Sequence, residues 1–168
     1  MNLKINYLTK YLNSSSKNIA FFLKNSTKVS ELSKIVGDKS FAASLDKLKK
    51  NENFTKKKTI TSINQNVDKK LIIIWLNKNL SSNEIEKLGA KFFDFLKVNS
   101  IEEVTIFGPS LNDENKNYKI EEFIHGMELK SYSFEIYKSS QEKNKKFKIN
   151  IFQNKIDKKL KFKLDAIL

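Results

Sequence analysis

Few residues in this sequence could bind a metal or activate water, and they are scattered. His125 is the only histidine, cysteine is absent, and Glu121 lies one helical turn before His125. Zinc sites take three or four protein ligands, and both residues fall outside the apolar stripe of the helix predicted there. We therefore predict that His125 and Glu121 are surface residues, and that these 168 residues contain no catalytic residue and bind no cofactor or metal.

Paired carboxylates, phosphate-binding loops and aromatic clusters offer no better candidate. Glu102 and Glu103 are neighbours near a predicted strand, where successive side chains point to opposite faces, so they do not converge as an acid–base pair. The four glycines are isolated from one another, whereas a loop that cradles a phosphate needs several close together. Phe92, Phe93 and Phe95 have helical spacing and are predicted to be core residues rather than base-stacking residues.

The net charge of +13 is the compositional outlier, and all 32 basic residues are lysines. Two interpretations stay open: non-specific contact with the phosphate backbone of DNA, or a compositional bias that leaves a solvated surface. Without the bidentate geometry of arginine, sequence-specific reading of bases is not expected. No apolar run approaches the 18 residues of a membrane span, and the amino terminus lacks the apolar region of a signal peptide. We expect a cytoplasmic protein with no membrane partner.

The strongest structural signal is the run of six apolar residues at 71–76, three of them isoleucines, which follows a charged stretch. A continuous apolar run of this length is typical of a strand buried on both faces, and we predict that it is the central strand of a sheet. Five further strands are predicted, over residues 3–7, 18–23, 59–63, 104–107 and 147–152.

Helical spacing marks the segments between these strands. Ser81 and Glu84 have the spacing of a capping box at the start of a helix over residues 82–99. One face of this helix carries Ile85, Leu88, Phe92 and Leu96, and one face of a later helix carries Ile120, Phe123, Ile124 and Met127. Two more helical pieces are predicted between residues 30 and 48, with Gly37 at their junction.

The alternation of strands and helices predicts an α/β layered fold with a mixed, largely parallel sheet of five to seven strands flanked by helices. The residues predicted to form its core are Ile72, Ile74, Leu88, Phe92, Leu96, Ile106, Phe123, Ile124 and Tyr132.

One stretch, residues 126–138, matches a known signature, G-x-x-L-x-S-Y-x-F-x-x-Y-K. The seven matching positions are Gly126, Leu129, Ser131, Tyr132, Phe134, Tyr137 and Lys138. The stretch resembles the end of the amino-terminal domain of the M17 metallopeptidases, the leucyl or cytosol aminopeptidases, and the resemblance extends over most of residues 1–155. Leu129 and Tyr132 are predicted to finish a buried helix face, Phe134 and Tyr137 to bury their rings, and Lys138 to return the chain to solvent.

The resemblance implies a macro-domain-like fold for residues 1–155, with residues 156–168 beginning the connection to a catalytic domain. The apolar end Ala166, Ile167 and Leu168 is predicted to lead into that domain. In such enzymes the catalytic domain holds two divalent metals, zinc or manganese, and the subunits form a hexamer. The resemblance thus implies a non-catalytic amino-terminal domain of an enzyme that removes amino-terminal residues from peptides, with its own catalytic domain and further copies as partners. The alternative is a stand-alone basic DNA-binding or interaction protein.

Overall fold

The structure is a computed structural model that describes residues 2–9, 18–24, 59–64, 70–76, 79–111, 120–133 and 146–153. In chain order its elements are β1 (Asn2–Leu8), β2 (Asn18–Lys24), β3 (Ile60–Asn64), β4 (Lys70–Leu76), α1 (Ser82–Val98), β5 (Glu103–Phe107), a 3₁₀ turn (Gly108–Leu111), α2 (Ile120–Ser133) and β6 (Lys146–Phe152). The helical pieces predicted on either side of Gly37 lie outside the described residues.

The six strands form one sheet in the order β1-β6-β5-β2-β4-β3. Every neighbouring pair is parallel except β3 and β4, which are antiparallel. The predicted mixed, largely parallel sheet of five to seven strands is therefore confirmed.

The predicted central position of the 71–76 strand is wrong. β2 and β5 occupy the middle of the sheet, and β4 lies second from the edge, between β2 and β3. A continuous apolar run reports only that both faces of a strand are buried. All six residues from Leu71 to Leu76 are buried, but a strand one place from the edge meets that condition as well as a central one does.

Side chains of β4 alternate between two hydrophobic clusters, one on each face of the sheet. Ile72, Ile74 and Leu76 belong to the cluster on the first face, together with the buried residues of α1 and α2. Leu71, Ile73 and Trp75 belong to the cluster on the second face. Both helices therefore cover the first face, as expected for helices that connect parallel strands.

Aromatic rings connect the helices to the strands beneath them. Phe123 of α2 contacts Phe22 of β2 edge-on, with ring centroids 5.0 Å apart, and lies 5.5 Å from Phe92 of α1. Phe93 packs against Phe147 of β6 at 5.3 Å. Phe92 and Phe93 are fully buried and Phe95 is partly buried against the same cluster, so the prediction that these three rings are core residues is confirmed.

The ends of α1 have local physical causes. At its start, the backbone N–H of Ser81 donates to Glu84 Oε2 at 2.9 Å and the N–H of Glu84 donates to Ser81 Oγ at 3.4 Å, which confirms the predicted capping box. At its end, Asn99 Nδ2 donates to the carbonyl of Phe95 at 2.8 Å, and Ser100 adopts a left-handed φ of 53°. The backbone N–H of Ile101 then closes the turn by donating to the carbonyl of Leu96 at 2.9 Å.

Replacing Phe92 with Ala is expected to lower the free energy of unfolding by about 3–5 kcal/mol, because it leaves a cavity beneath α1 where Phe123 loses a ring contact. The matched control is Val98→Ala on the same helix: Val98 is 84% exposed, so its truncation is expected to change the stability by less than about 0.5 kcal/mol. Chemical denaturation of the two variants tests this assignment. A loss below about 1 kcal/mol for Phe92→Ala would mean that this helix face is placed wrongly.

Candidate functional site

Helices α1 and α2 run in the same direction and approach each other most closely at two glycines. A Cβ atom added to Gly89 would overlap the carbonyl oxygen of Phe123, and one added to Gly126 would overlap the carbonyl oxygen of Glu86. The two glycines therefore face each other where the helices cross, and each backbone lies against the other. Glycine is required at both positions because the carbonyl groups of Phe123 and Glu86 belong to helix backbones, which cannot move aside for a larger residue.

A hydrogen bond and an ion pair connect the two helices on either side of the glycines. His125 Nδ1 lies 2.9 Å from Glu86 Oε2, and Lys130 Nζ lies 3.0 Å from Asp94 Oδ2. All four side chains are at least one-third exposed, so each pair contributes no more than about 1 kcal/mol. These pairs fix how the helices are aligned more than they stabilise the fold.

His125 is exposed, as predicted from its place outside the apolar stripe. Its partner Glu86 is one that sequence reasoning missed, because the two residues are 39 positions apart. Two glycines in the sequence could have indicated this pairing: Gly89, three residues after Glu86, and Gly126, directly after His125. The described residues contain no group of three or more His, Cys, Asp or Glu side chains arranged to hold a metal ion.

A shallow groove follows the crossing on the solvent side of the two helices. It has a volume of about 410 Å³ and is lined by Glu86, Lys87, Ala90, Gly126, Leu129 and Lys130. The small residues Ala90 and Gly126 leave its floor open, and Leu129 forms an apolar wall. The groove could accept an apolar side chain of a partner, but no described side chain in it is placed to perform chemistry.

The signature residues of α2 divide between packing and exposure. Gly126 is buried against α1, and Ser131 is buried with its hydroxyl donating to the carbonyl of Glu128 at 2.7 Å. Leu129 and Tyr132, by contrast, are 48% and 57% exposed. The prediction that these two residues finish a buried helix face, and that Tyr132 belongs to the core, is therefore wrong.

The physical reason is the direction in which α2 faces the sheet. Its buried stripe is formed by Ile120, Phe123, Ile124 and Met127. With 3.6 residues per turn, Leu129 lies on the side of α2 nearly opposite this stripe, and Tyr132 lies about 60° further around the helix, so both side chains are directed away from the sheet. The three remaining signature residues, Phe134, Tyr137 and Lys138, lie outside the described residues.

Two buried polar atoms lie between β1 and α2. Tyr7 Oη and Glu128 Oε2 have no hydrogen-bond partner among the described residues. Burial raises the pKa of the Tyr7 phenol, and the nearby carboxylates of Glu128 and Glu121 raise it further. Burial also raises the pKa of Glu128, against a smaller opposing effect of His125. Glu128 thus lies in surroundings that are unfavourable for its charge.

The carboxyl ends of β2 and β5, where parallel sheets commonly bind ligands, are filled by the chain's own groups. The hydroxyl of Ser110 accepts the backbone N–H of Phe22 at 2.9 Å and donates to the carbonyl of Phe107 at 2.6 Å. A Cβ atom on Gly108 would lie 2.8 Å from the carbonyl oxygen of Phe152 and 2.5 Å from the side-chain amide of Gln153. Gly108 therefore packs closely against the end of β6, where a side chain would not fit.

A family model with the description "Cytosol aminopeptidase family, N-terminal domain" matches residues 19–141, which is most of the chain. The chain belongs to this family. The M17 resemblance of the signature is thereby confirmed. Comparison with curated protein sequences gives no match for this M17 domain.

Solved structures similar to the M17 domain include a leucine aminopeptidase and macrodomains. A mutant of the tomato leucine aminopeptidase superposes with a TM-score of 0.66 at 13% identity, covering 98% of this chain and 35% of the tomato chain. The macrodomain of Thermus aquaticus DarG gives 0.59 at 7% identity, with 90% of this chain and 99% of that one covered. A mutant of the Oceanobacillus iheyensis macrodomain also gives 0.59, at 14% identity, with coverage of 96% and 90%.

These likenesses confirm the macro-domain-like α/β fold. At identities of 7–14% they show the fold alone. The M17 domain spans about a third of the length of the tomato enzyme that it matches.

Replacing Gly126 with Ala is expected to lower the free energy of unfolding by about 1–3 kcal/mol, because the added methyl group forces the two helix backbones apart. In an unconstrained helix the same change would be stabilising by about 0.5–1 kcal/mol. The two expectations differ in sign, so equilibrium denaturation distinguishes them. Lys91→Ala, at an exposed position of α1, is the control and should change stability by less than about 0.5 kcal/mol. A gain in stability for Gly126→Ala would contradict the close crossing.

Replacing Glu128 with Gln is expected to stabilise the domain at neutral pH and to flatten its pH dependence. Because the folded state raises the pKa of Glu128 above its ordinary 4.5, the folded state favours the protonated form. The contribution of Glu128 to the stability is thus most favourable below its ordinary pKa of 4.5, and it is lost as the pH rises through the raised pKa of the folded state. Denaturation at pH 4 and pH 7 should show this fall in the native chain and a smaller one in Glu128→Gln. The control is Glu102→Gln, at an exposed carboxylate, which should keep the native profile. Equal profiles for native chain and Glu128→Gln would refute the assignment.

Proposed function

We propose that this chain is the non-catalytic amino-terminal domain of a leucyl-aminopeptidase-like metallo-exopeptidase, an enzyme that removes amino-terminal residues from peptides. The observation that carries the proposal is the family match over residues 19–141 to an amino-terminal domain. In this proposal residues 1–155 form the domain and residues 156–168 begin its connection to the catalytic domain. Its role is that of an assembly and accessory module.

The metals of the proposed enzyme, two ions of zinc or manganese, belong to the catalytic domain. The donor set of the described residues does not fit such a centre: His125 and Glu86 form the one His–carboxylate pair, and no third ligand joins them among the described residues. A dinuclear site needs several convergent carboxylates, and those on α1 and α2 are spread along the helix surfaces. No step of peptide hydrolysis is therefore assigned to these residues.

Partners and location follow from the family. The catalytic domain and further copies of the enzyme, in the hexamer that the M17 resemblance implies, are the proposed partners. The family's name supports a cytosolic location. Among the described residues, neither helix has the length and apolar character needed to cross a membrane.

The charge of the described residues gives little support to the alternative, a stand-alone DNA-binding or interaction protein. The described residues contain nine lysines and eight carboxylates, a net charge of +1. Twelve of the thirteen excess positive charges thus lie in residues outside the described ranges. Non-specific binding to DNA remains a prediction.

The purified chain is expected to hydrolyse nothing. A leucine-linked chromogenic amide, with manganese or zinc added, should give no turnover above the metal-only control, and elemental analysis should find no stoichiometric metal. In parallel, the protein tagged in its native cells at its native level should purify with a metal-dependent aminopeptidase activity that a chelator removes. Turnover by the chain alone, together with bound metal, would disprove the non-catalytic role. Absence of any accompanying aminopeptidase would disprove the association.

A further inference from the structure

The first strand of the sheet has few buried attachments. β1 lies at an edge, and its one neighbour in the described sheet is β6, with which all seven of its residues pair in parallel. The other five strands each have at least one buried side chain, whereas Leu3, Ile5 and Tyr7 of β1 are only partly buried against the core. Segments with few buried contacts open locally at a lower cost than the whole fold. β1 is therefore a strand that can open without the rest of the sheet.

The junction between β1 and α2 contains two polar atoms that the fold leaves unsatisfied. Tyr7 Oη and Glu128 Oε2 are shielded from solvent and have no hydrogen-bond partner among the described residues. The Glu128 carboxylate acts electrostatically on the Tyr7 phenol, so both groups belong to this one junction. A buried polar group without a partner loses its hydration without compensation. Opening of β1 would hydrate both groups, and their burial therefore disfavours the docked strand.

Most of the charged groups that face this junction are negative. Glu121 lies seven residues before Glu128 on the same stripe of α2, and it also acts on the Tyr7 phenol. From α1, Glu86 reaches the junction through its hydrogen bond to His125, the one described group that favours the ionised form of Glu128. The side chains of β6 on this face are apolar. The lysines of β1 and β6 lie on the opposite face of the sheet, namely Lys4, Lys146 and Lys148.

We propose that β1 is a proton-controlled strand, which stays docked on β6 and α2 while Glu128 is protonated and opens more often once Glu128 is ionised. Burial in the docked state raises the pKa of Glu128, against a smaller opposing effect of His125. Docking is therefore most favourable below the ordinary pKa of 4.5, and it weakens as the pH rises through the raised pKa. Each unit by which docking raises this pKa multiplies the opening constant about tenfold. Because opening uncovers the edge of β6, the carboxylate controls how often that edge is available.

The test is hydrogen–deuterium exchange of the protein as its gene encodes it, measured by mass spectrometry between pH 4 and pH 8. Each rate is divided by the intrinsic chemical rate at the same pH, which leaves a protection factor for each peptide. The peptide that covers β1 is compared with the one that covers β5, in the middle of the sheet. Three variants are measured beside the native protein: Glu128→Gln, His125→Gln, and Glu102→Gln at an exposed carboxylate as the matched control. Thermal unfolding shows whether each variant has kept its fold.

The expected result is a severalfold fall in the protection of β1 as the pH rises, with no such fall in β5. Glu128→Gln cannot ionise, so its β1 should stay protected at every pH. Glu102→Gln should keep the native profile, and His125→Gln should move the fall to higher pH because it removes the group that favours the ionised carboxylate.

Constant protection of native β1, an equal fall in β1 and β5, or a fall that persists in Glu128→Gln would each overturn the proposal. Loss of the fall in His125→Gln would also overturn it, since the histidine would then be the group that titrates. If Glu128→Gln does not fold, the comparison of β1 with β5 in the native protein and in His125→Gln still decides between these outcomes.

Discussion

The close packing of Gly89 against the backbone of Phe123, and of Gly126 against the backbone of Glu86, is the constraint on which the helical layer depends. Because neither residue has a side chain, the backbones of α1 and α2 meet directly, and the two helices form one continuous cover over the first face of the sheet. This proximity brings Phe123 within ring contact of both Phe92 and Phe22. Each glycine costs about 1 kcal/mol relative to alanine in a helix, and the aromatic burial that the close approach allows is large enough to offset it.

The same crossing produces the outward surface of the domain. With the helices so close, side chains beside the crossing cannot fit between the backbones and are directed to solvent. The residues directed away from the sheet are either polar and paired across the helices, as His125 and Lys130 are, or apolar and exposed, as Leu129 and Tyr132 are. One stretch of α2 thus combines a glycine that positions the helix with residues that are exposed to solvent.

The sequence predicted elements well and their mutual arrangement less well. The strands, the capping box of α1 and the buried stripes of both helices were predictable because hydrophobic periodicity and capping are local in sequence. The position of β4 in the sheet was not, since a buried strand has the same composition one place from the edge as it has in the middle. Leu129 and Tyr132 were predicted to finish the buried face of α2, and Tyr132 to belong to the core, because the signature was interpreted as an anchoring motif. The period of 3.6 residues per turn in fact places both residues off the stripe of Ile120, Phe123, Ile124 and Met127. The pairing of His125 with Glu86 depends on the close approach of α1 and α2, and local sequence patterns cannot predict a contact between residues 39 positions apart.

The chain shares its fold with the macrodomains and its family with the amino-terminal domains of cytosol aminopeptidases. Fold alone does not imply function, and the macrodomains resemble this chain at 7% and 14% identity. Near the carboxyl ends of β2 and β5, the hydroxyl of Ser110 hydrogen-bonds to the backbone of Phe22 and Phe107. Gly108 packs closely against Phe152 and Gln153. A ligand that approached these ends would find the described polar groups already bonded to one another. On α2, by contrast, the exposed side chains of Leu129 and Tyr132 are not used by the core of the domain.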